Sequence, residues 1–232
     1  MGLNNWRYAA SRVPLQWARS LAALLLALAL APIAHAQAAR PQAAAPASEA
    51  TRTVLVMGDS LSAGYGLSAA EGWVALTADR IAKTKPGWRV VNASISGETT
   101  AGGAARIVDA VVRHKPAVVV IELGANDGLR GLPLREAKVN LARMIGASQS
   151  VGAKVLLIGM RIPPNYGPEY TQGFERNYTA LAKQFDVALL PFLLQPVASD
   201  RANFQNDNLH PVAAAQPKLR DHVWTALEPL LK

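Results

Sequence analysis

The run Val118-Val119-Val120-Ile121 places four β-branched residues in succession with no polar residue to mark a solvent face. A strand that is apolar on both faces belongs inside a parallel sheet covered by helices on each side. Shorter aliphatic runs of the same kind predict strands over 53–57, 89–92, 117–123, 154–159 and 187–191. Longer amphipathic stretches between them predict helices near 72–83, 99–114, 133–151 and 169–185, with a last helix over about 211–230. This alternation predicts an α/β fold: a three-layer α/β/α sandwich around a five-stranded parallel sheet. Ligands of such open sheets gather beyond the carboxyl ends of the strands, so the residues that follow each strand are the ones to search for chemistry.

The two ends of the chain read differently. Arg7, Arg12 and Arg19 form a basic front, Leu21 to Ala31 is unbroken Ala and Leu, and Ala34-His35-Ala36 offers small residues for cleavage. This is the pattern of a signal peptide over 1–36, cut after Ala36, and its apolar core falls short of the roughly 20 residues that span a bilayer. Residues 37–51, rich in Ala, Pro, Gln and Ser, suit a flexible linker, which leaves 52–232 as one domain. The expected location is the periplasm or the medium. The chain has no Cys, so packing alone must hold the exported domain together. Removing the three Arg of the signal leaves +5 of the formal +8 charge, a balance that favours contact with anionic membrane surfaces. No run of Lys and Arg interleaved with aromatics is present, which argues against a nucleic acid partner. The domain is expected to act as a monomer on a small-molecule substrate.

Directly after the first strand stands Gly58-Asp59-Ser60-Leu61-Ser62, which puts the Ser60 hydroxyl at a strand-to-helix turn. On its own this also reads as a helix cap, and the elbow G-x-S-x-G is not met because Ser62 replaces its second glycine. A nucleophilic serine needs a base. Of the histidines outside the signal, His114 ends a helix before Lys115-Pro116 and His222 lies inside the last helix, whereas His210 sits in Asp207-Asn208-Leu209-His210 on a loop. An acid three residues ahead can orient one ring nitrogen while the other faces the serine. Two further loops carry candidate oxyanion donors: the Gly97 N–H after the second strand, and the Asn126 side chain in Gly124-Ala125-Asn126-Asp127 after the third. The histidines do not cluster with carboxylates at metal-ligand spacing.

Together these four segments resemble, in order, the blocks of the SGNH or GDSL hydrolase family. The segments Gly58-Asp-Ser-Leu-Ser-Ala-Gly-Tyr65, Asn126-Asp-Gly-Leu-Arg-Gly131 and Pro163-Pro-Asn-Tyr-Gly167 are similar to its bacterial thioesterase I, lysophospholipase L1 and arylesterase branch. The resemblance implies a flavodoxin-like fold and no cofactor. It further implies ester or thioester cleavage through an acyl-enzyme on Ser60, with His210 as base, Asp207 as its orienting acid, and an oxyanion hole from the Ser60 N–H, the Gly97 N–H and Asn126. Ala125 and Asn208 stand where glycines are common in that branch. Pro163 and Tyr166, on a long loop, are expected to contact substrate. Two competing readings are a carbohydrate O-deacetylase of the same family, with Trp73 or Trp88 as the sugar platform, and a non-catalytic periplasmic binding protein.

Overall fold

The computed structural model describes residues 51–232; the expected signal peptide and all but the last residue of the linker lie outside the described residues. Five strands, β1 (Arg52–Gly58), β2 (Trp88–Asn92), β3 (Val118–Glu122), β4 (Lys154–Ile158) and β5 (Ala188–Leu190), form one sheet in the order β2-β1-β3-β4-β5. Every pairing is parallel. The all-apolar run lies in β3, every residue of which is buried, as a strand between two others and under helices on both faces must be.

The helices are α1 (Ser60–Ala63), α2 (Trp73–Thr84), α3 (Thr100–His114), α4 (Ala125–Leu129), α5 (Leu134–Ser150), α6 (Pro168–Phe185) and α7 (Gln216–Leu227). α3, α5 and α6 pack side by side in one layer, and α2 packs on α7 in the other. Ile107, Val111, Leu141, Met144, Ile145 and Leu181 bury the first layer; Trp73, Ile81, Leu219 and Val223 bury the second. The four long helices before α7 begin and end within a residue of their expected limits. The last does not: 211–215 are extended or in a 3₁₀ turn before α7 begins at Gln216. Pro217 explains the late start, since its missing N–H is tolerated in a first turn and costs a hydrogen bond further in.

The chain leaves β1 for the edge strand β2, then crosses back to β3 on the other side of β1. The carboxyl ends of β1 and β3 therefore flank the point where the winding reverses, the place where open α/β sheets leave a crevice. Gly58 and Glu122 face each other across that point in register. Gly58 must lack a side chain: a Cβ there would stand 2.6 Å from the Cβ and Oγ of Ser62 and 2.9 Å from Glu122 Oε2.

Candidate active site

α1 starts at Ser60 because Asp59 caps it, its Oδ1 accepting from the Leu61 N–H at 3.0 Å. The turn presents the Ser60 Oγ to His210, whose Nε2 lies 2.8 Å away. On the other side of the ring, Nδ1 lies 2.6 Å from Asp207 Oδ2. Asp207 Oδ1 accepts from the backbone N–H groups of Leu209 (2.9 Å) and His210 (3.0 Å), which locks the tight loop on which all three stand. Asn208, where a glycine is common, adopts φ 61°, a left-handed conformation that Asn tolerates better than most residues. The hydrogen bond from the His210 ring, followed by that from Leu209, holds the Asp207 carboxyl down to about 2, so it is an anion at any ordinary pH.

The two other loops converge on the same turn. Asn126, at the start of α4, donates its Nδ2 to the Glu98 carbonyl at 3.0 Å and to Asp59 Oδ2 at 3.2 Å. Next to it, Asp127 is buried and takes the backbone N–H (2.8 Å) and hydroxyl (2.5 Å) of Thr100 at the head of α3. Gly97 has φ 78°, and its carbonyl accepts from Arg130 Nη2 at 3.0 Å. Ser60, His210, Asp207, Gly97 and Asn126 thus come from four loops at one sheet edge.

Behind the turn lie two buried acids. Burial raises Asp59 to about 6, partly offset by the Leu61 N–H, the proximity of His210 and the Asn126 amide. Glu122 is completely buried and pushed well above the carboxylate range, first by desolvation and then by Asp59. Its Oε2 accepts from the Ser62 hydroxyl at 2.6 Å.

A cleft of about 430 Å³ opens from Ser60 and His210 and is walled by Leu61, Leu129, Met160, Ile162, Phe192 and Leu194. Pro163 and Ala125 also line it. Tyr166 does not: its hydroxyl donates to the Leu129 carbonyl at 2.6 Å, so it ties the long loop to α4. Trp73 is buried in the core, and Trp88 is buried beneath the Arg52 guanidinium, 4.5 Å from its ring centroid, so neither offers a sugar platform at the cleft. His222 lies with Nε2 3.0 Å from the Phe192 carbonyl, a packing role. Among the described residues no group of three or more His, Asp or Glu could hold a metal ion.

Residues 56–216 match the GDSL-like lipase/acylhydrolase family. The chain belongs to that family. Esterase TesA of Pseudomonas aeruginosa is 51% identical over 182 residues, 78% of this chain and 90% of that protein. The crystal structure of TesA aligns with a TM-score of 0.75 over 77% of this chain and 99% of that one. Thioesterase 1/protease 1/lysophospholipase L1 of Escherichia coli K12 is 42% identical over 182 residues, 78% of this chain and 86% of that protein. A psychrotrophic esterase, EstA of Pseudoalteromonas, solved inhibited by monoethylphosphonate, is 39% identical with a TM-score of 0.74 over 78% of this chain and 98% of its own. Like its relatives, this GDSL-like acylhydrolase is a hydrolase of ester or thioester bonds. Its sandwich of five parallel strands is the fold that these solved structures share.

Several groups at this GDSL-type site carry little or no signal in the sequence. Tyr65 lies against the His210 ring with centroids 4.5 Å apart, and Glu98, Arg106 and Glu122 hold the loops from behind. Tyr65 sits within the first motif and could have been suspected for that reason. Arg106 and Glu122 carry no local signal, because a helix residue and a strand residue reach the site only through the fold.

Proposed function

We propose that Ser60 is the nucleophile of an acyl-transfer reaction in which His210 is the general base, Asp207 orients it, and Ser60, Gly97 and Asn126 stabilise the oxyanion. His210 Nε2 takes the hydroxyl proton as Oγ attacks the acyl carbonyl carbon. The Asp207 anion keeps the Nδ1–H toward itself and stabilises the imidazolium that forms. The negative charge on the carbonyl oxygen is met by the backbone N–H groups of Ser60 and Gly97 and the amide of Asn126. The imidazolium then protonates the departing alcohol or thiol, and water activated by the same ring releases the acid and regenerates Ser60.

The observation that supports this most directly is the unbroken contact from Ser60 Oγ through His210 (2.8 Å) to Asp207 (2.6 Å) at the mouth of an apolar cleft. The cleft suits an acyl chain, with Pro163 at its wall. Relatives named esterase, arylesterase and thioesterase 1/lysophospholipase L1 support aryl esters, acyl thioesters and lysophospholipids as the substrate range. No cofactor is required by this chemistry, and one copy of the chain supplies every group it uses.

The test is hydrolysis of p-nitrophenyl acyl esters by wild-type and Ser60→Ala protein, together with labelling by a fluorophosphonate. Loss of turnover and of the label in the variant is the expected result; a variant that keeps both would end the assignment. Export completes the proposal: the basic front, the Ala and Leu run and Ala34-His35-Ala36 lead to a mature protein that begins at Gln37 in the periplasm or the medium. Amino-terminal sequencing of the protein recovered outside the cytoplasm checks it.

A further inference from the structure

The two ends of the loop that carries Gly97 are bridged by one side chain from the middle of α3. Arg106 Nε donates to Glu98 Oε1 at 2.6 Å, and its Nη2 donates both to Glu98 Oε2 and to the Ala93 carbonyl, the latter at 2.8 Å. Ala93 and Glu98 are the two ends of the segment that contains Gly97, so one guanidinium grips the loop at both ends. The fork-to-carboxylate geometry is the kind that fixes orientation as well as distance. The Glu98 side chain is only 6% exposed, which removes most of the competition from water that weakens surface pairs. Room for it is left by Gly102: a Cβ there would stand 3.0 Å from the Glu98 Cγ and Oε1.

Glu98 also reaches the second donor. Its carbonyl accepts from Asn126 Nδ2 at 3.0 Å, and its own N–H is bonded to the Ile95 carbonyl at 3.1 Å. The residue therefore touches Asn126 directly and adjoins Gly97 in the chain, whose N–H lies one peptide further back. Glu98 is thus the point at which the Gly97 loop and the Asn126 side chain are tied together. We propose that Arg106 and Glu98 are the positioning pair of the oxyanion hole, setting the Gly97 N–H and the Asn126 amide relative to Ser60. This rests on the assignment of those two donors made above.

Donors that are slightly out of place act weakly, because their bonds to the transition state depend steeply on alignment. Arg106→Met, which keeps the length and loses the fork, should lower kcat on p-nitrophenyl butyrate roughly 10- to 100-fold with little change in KM. Arg106→Lys, with a point charge but no fork, should recover part of that loss. The decisive measurement is a double-mutant cycle with Asn126→Ala. If Arg106 acts through the hole, Arg106→Met must cost clearly less in the Asn126→Ala background than in the wild type.

Equal factors in the two backgrounds, or an effect confined to KM, would overturn the proposal. Should Arg106→Met not fold, as judged by circular dichroism and thermal melting, Glu98→Gln takes its place in the same cycle, since it preserves shape and removes only the charge. Failure of the underlying assignment looks different: Asn126→Ala would then leave kcat intact, removing the hole and the pair's role with it. A damaged Asn126→Ala beside a fully active Arg106→Met would remove the pair alone.

Discussion

Asp59 and Asn126 share a hydrogen bond of 3.2 Å between a fully buried carboxylate and a side-chain amide, immediately behind the Ser60 turn. The same Asn126 Nδ2 also donates to the Glu98 carbonyl, so both of its hydrogens have an acceptor in the folded protein. Burial raises the Asp59 carboxyl from its ordinary 3.8 to about 6, so the folded protein binds this proton more tightly than the unfolded chain does.

Stability from a raised carboxyl is complete below about 3.8 and is lost as the pH climbs through about 6. The full difference corresponds to about 3 kcal/mol. The stability of the wild type relative to Asp59→Asn should therefore decline between pH 4 and pH 7, as measured by urea unfolding at each pH. Parallel curves for the two proteins would contradict the burial of an ionisable Asp59.

Asp207→Asn should fold normally, because the amide oxygen can still accept from the Leu209 and His210 N–H groups. Turnover should fall by about 10⁴ with little effect on KM, since the ring loses the anion that sets its tautomer and balances its charge. Steady-state kinetics on an aryl ester provides the check. The depressed carboxyl near 2 also stabilises the fold at pH above its ordinary 3.8, and this contribution disappears as the pH falls toward 2. Wild type and variant should therefore converge in stability in strong acid.

Glu122→Gln should be well tolerated, because burial favours the uncharged carboxyl and a neutral amide can occupy the same space beside Ser62. Glu122→Ala leaves a cavity and an unpartnered Ser62 hydroxyl under the Ser60 turn, at a cost of about 2–4 kcal/mol and with reduced kcat. Thermal unfolding and kinetics of the two variants side by side test this. Equal damage from both would mean that the carboxyl is ionised.

Leu194→Trp should shorten the acyl chains that the protein prefers, since Leu194 lines the cleft that opens from Ser60. Across a series of p-nitrophenyl esters from acetate to decanoate, kcat/KM for the longest should fall most, while that for acetate holds. A uniform loss would argue that the chain lies elsewhere.

The long elements were legible because their patterns are local. The apolar run in β3 identifies a strand covered on both sides, and 3.6-residue periodicity marks α3, α5 and α6 to within a residue. α1 and α4 escaped, since four or five residues cannot display a period; β5 shrank to three residues at the sheet edge. Tyr166 was expected against substrate because its loop borders the cleft, yet its hydroxyl is spent on Leu129. Loop side chains follow the partners they find, and those lie far away in sequence.

By itself the sequence determined the layered parallel sheet and the chemical groups carried on the loops at its carboxyl edge, because hydrophobic period, glycine turns and the three-residue spacing of Asp207 and His210 act over short distances. Only the tertiary structure decided that Ser60 and His210, 150 residues apart, stand 2.8 Å from each other. It likewise decided that Asp59 and Glu122 are buried acids with raised proton affinity, and that Arg106 reaches Glu98. Proton affinity depends on desolvation and neighbouring charge, and those exist only once the strands have brought distant segments to one edge.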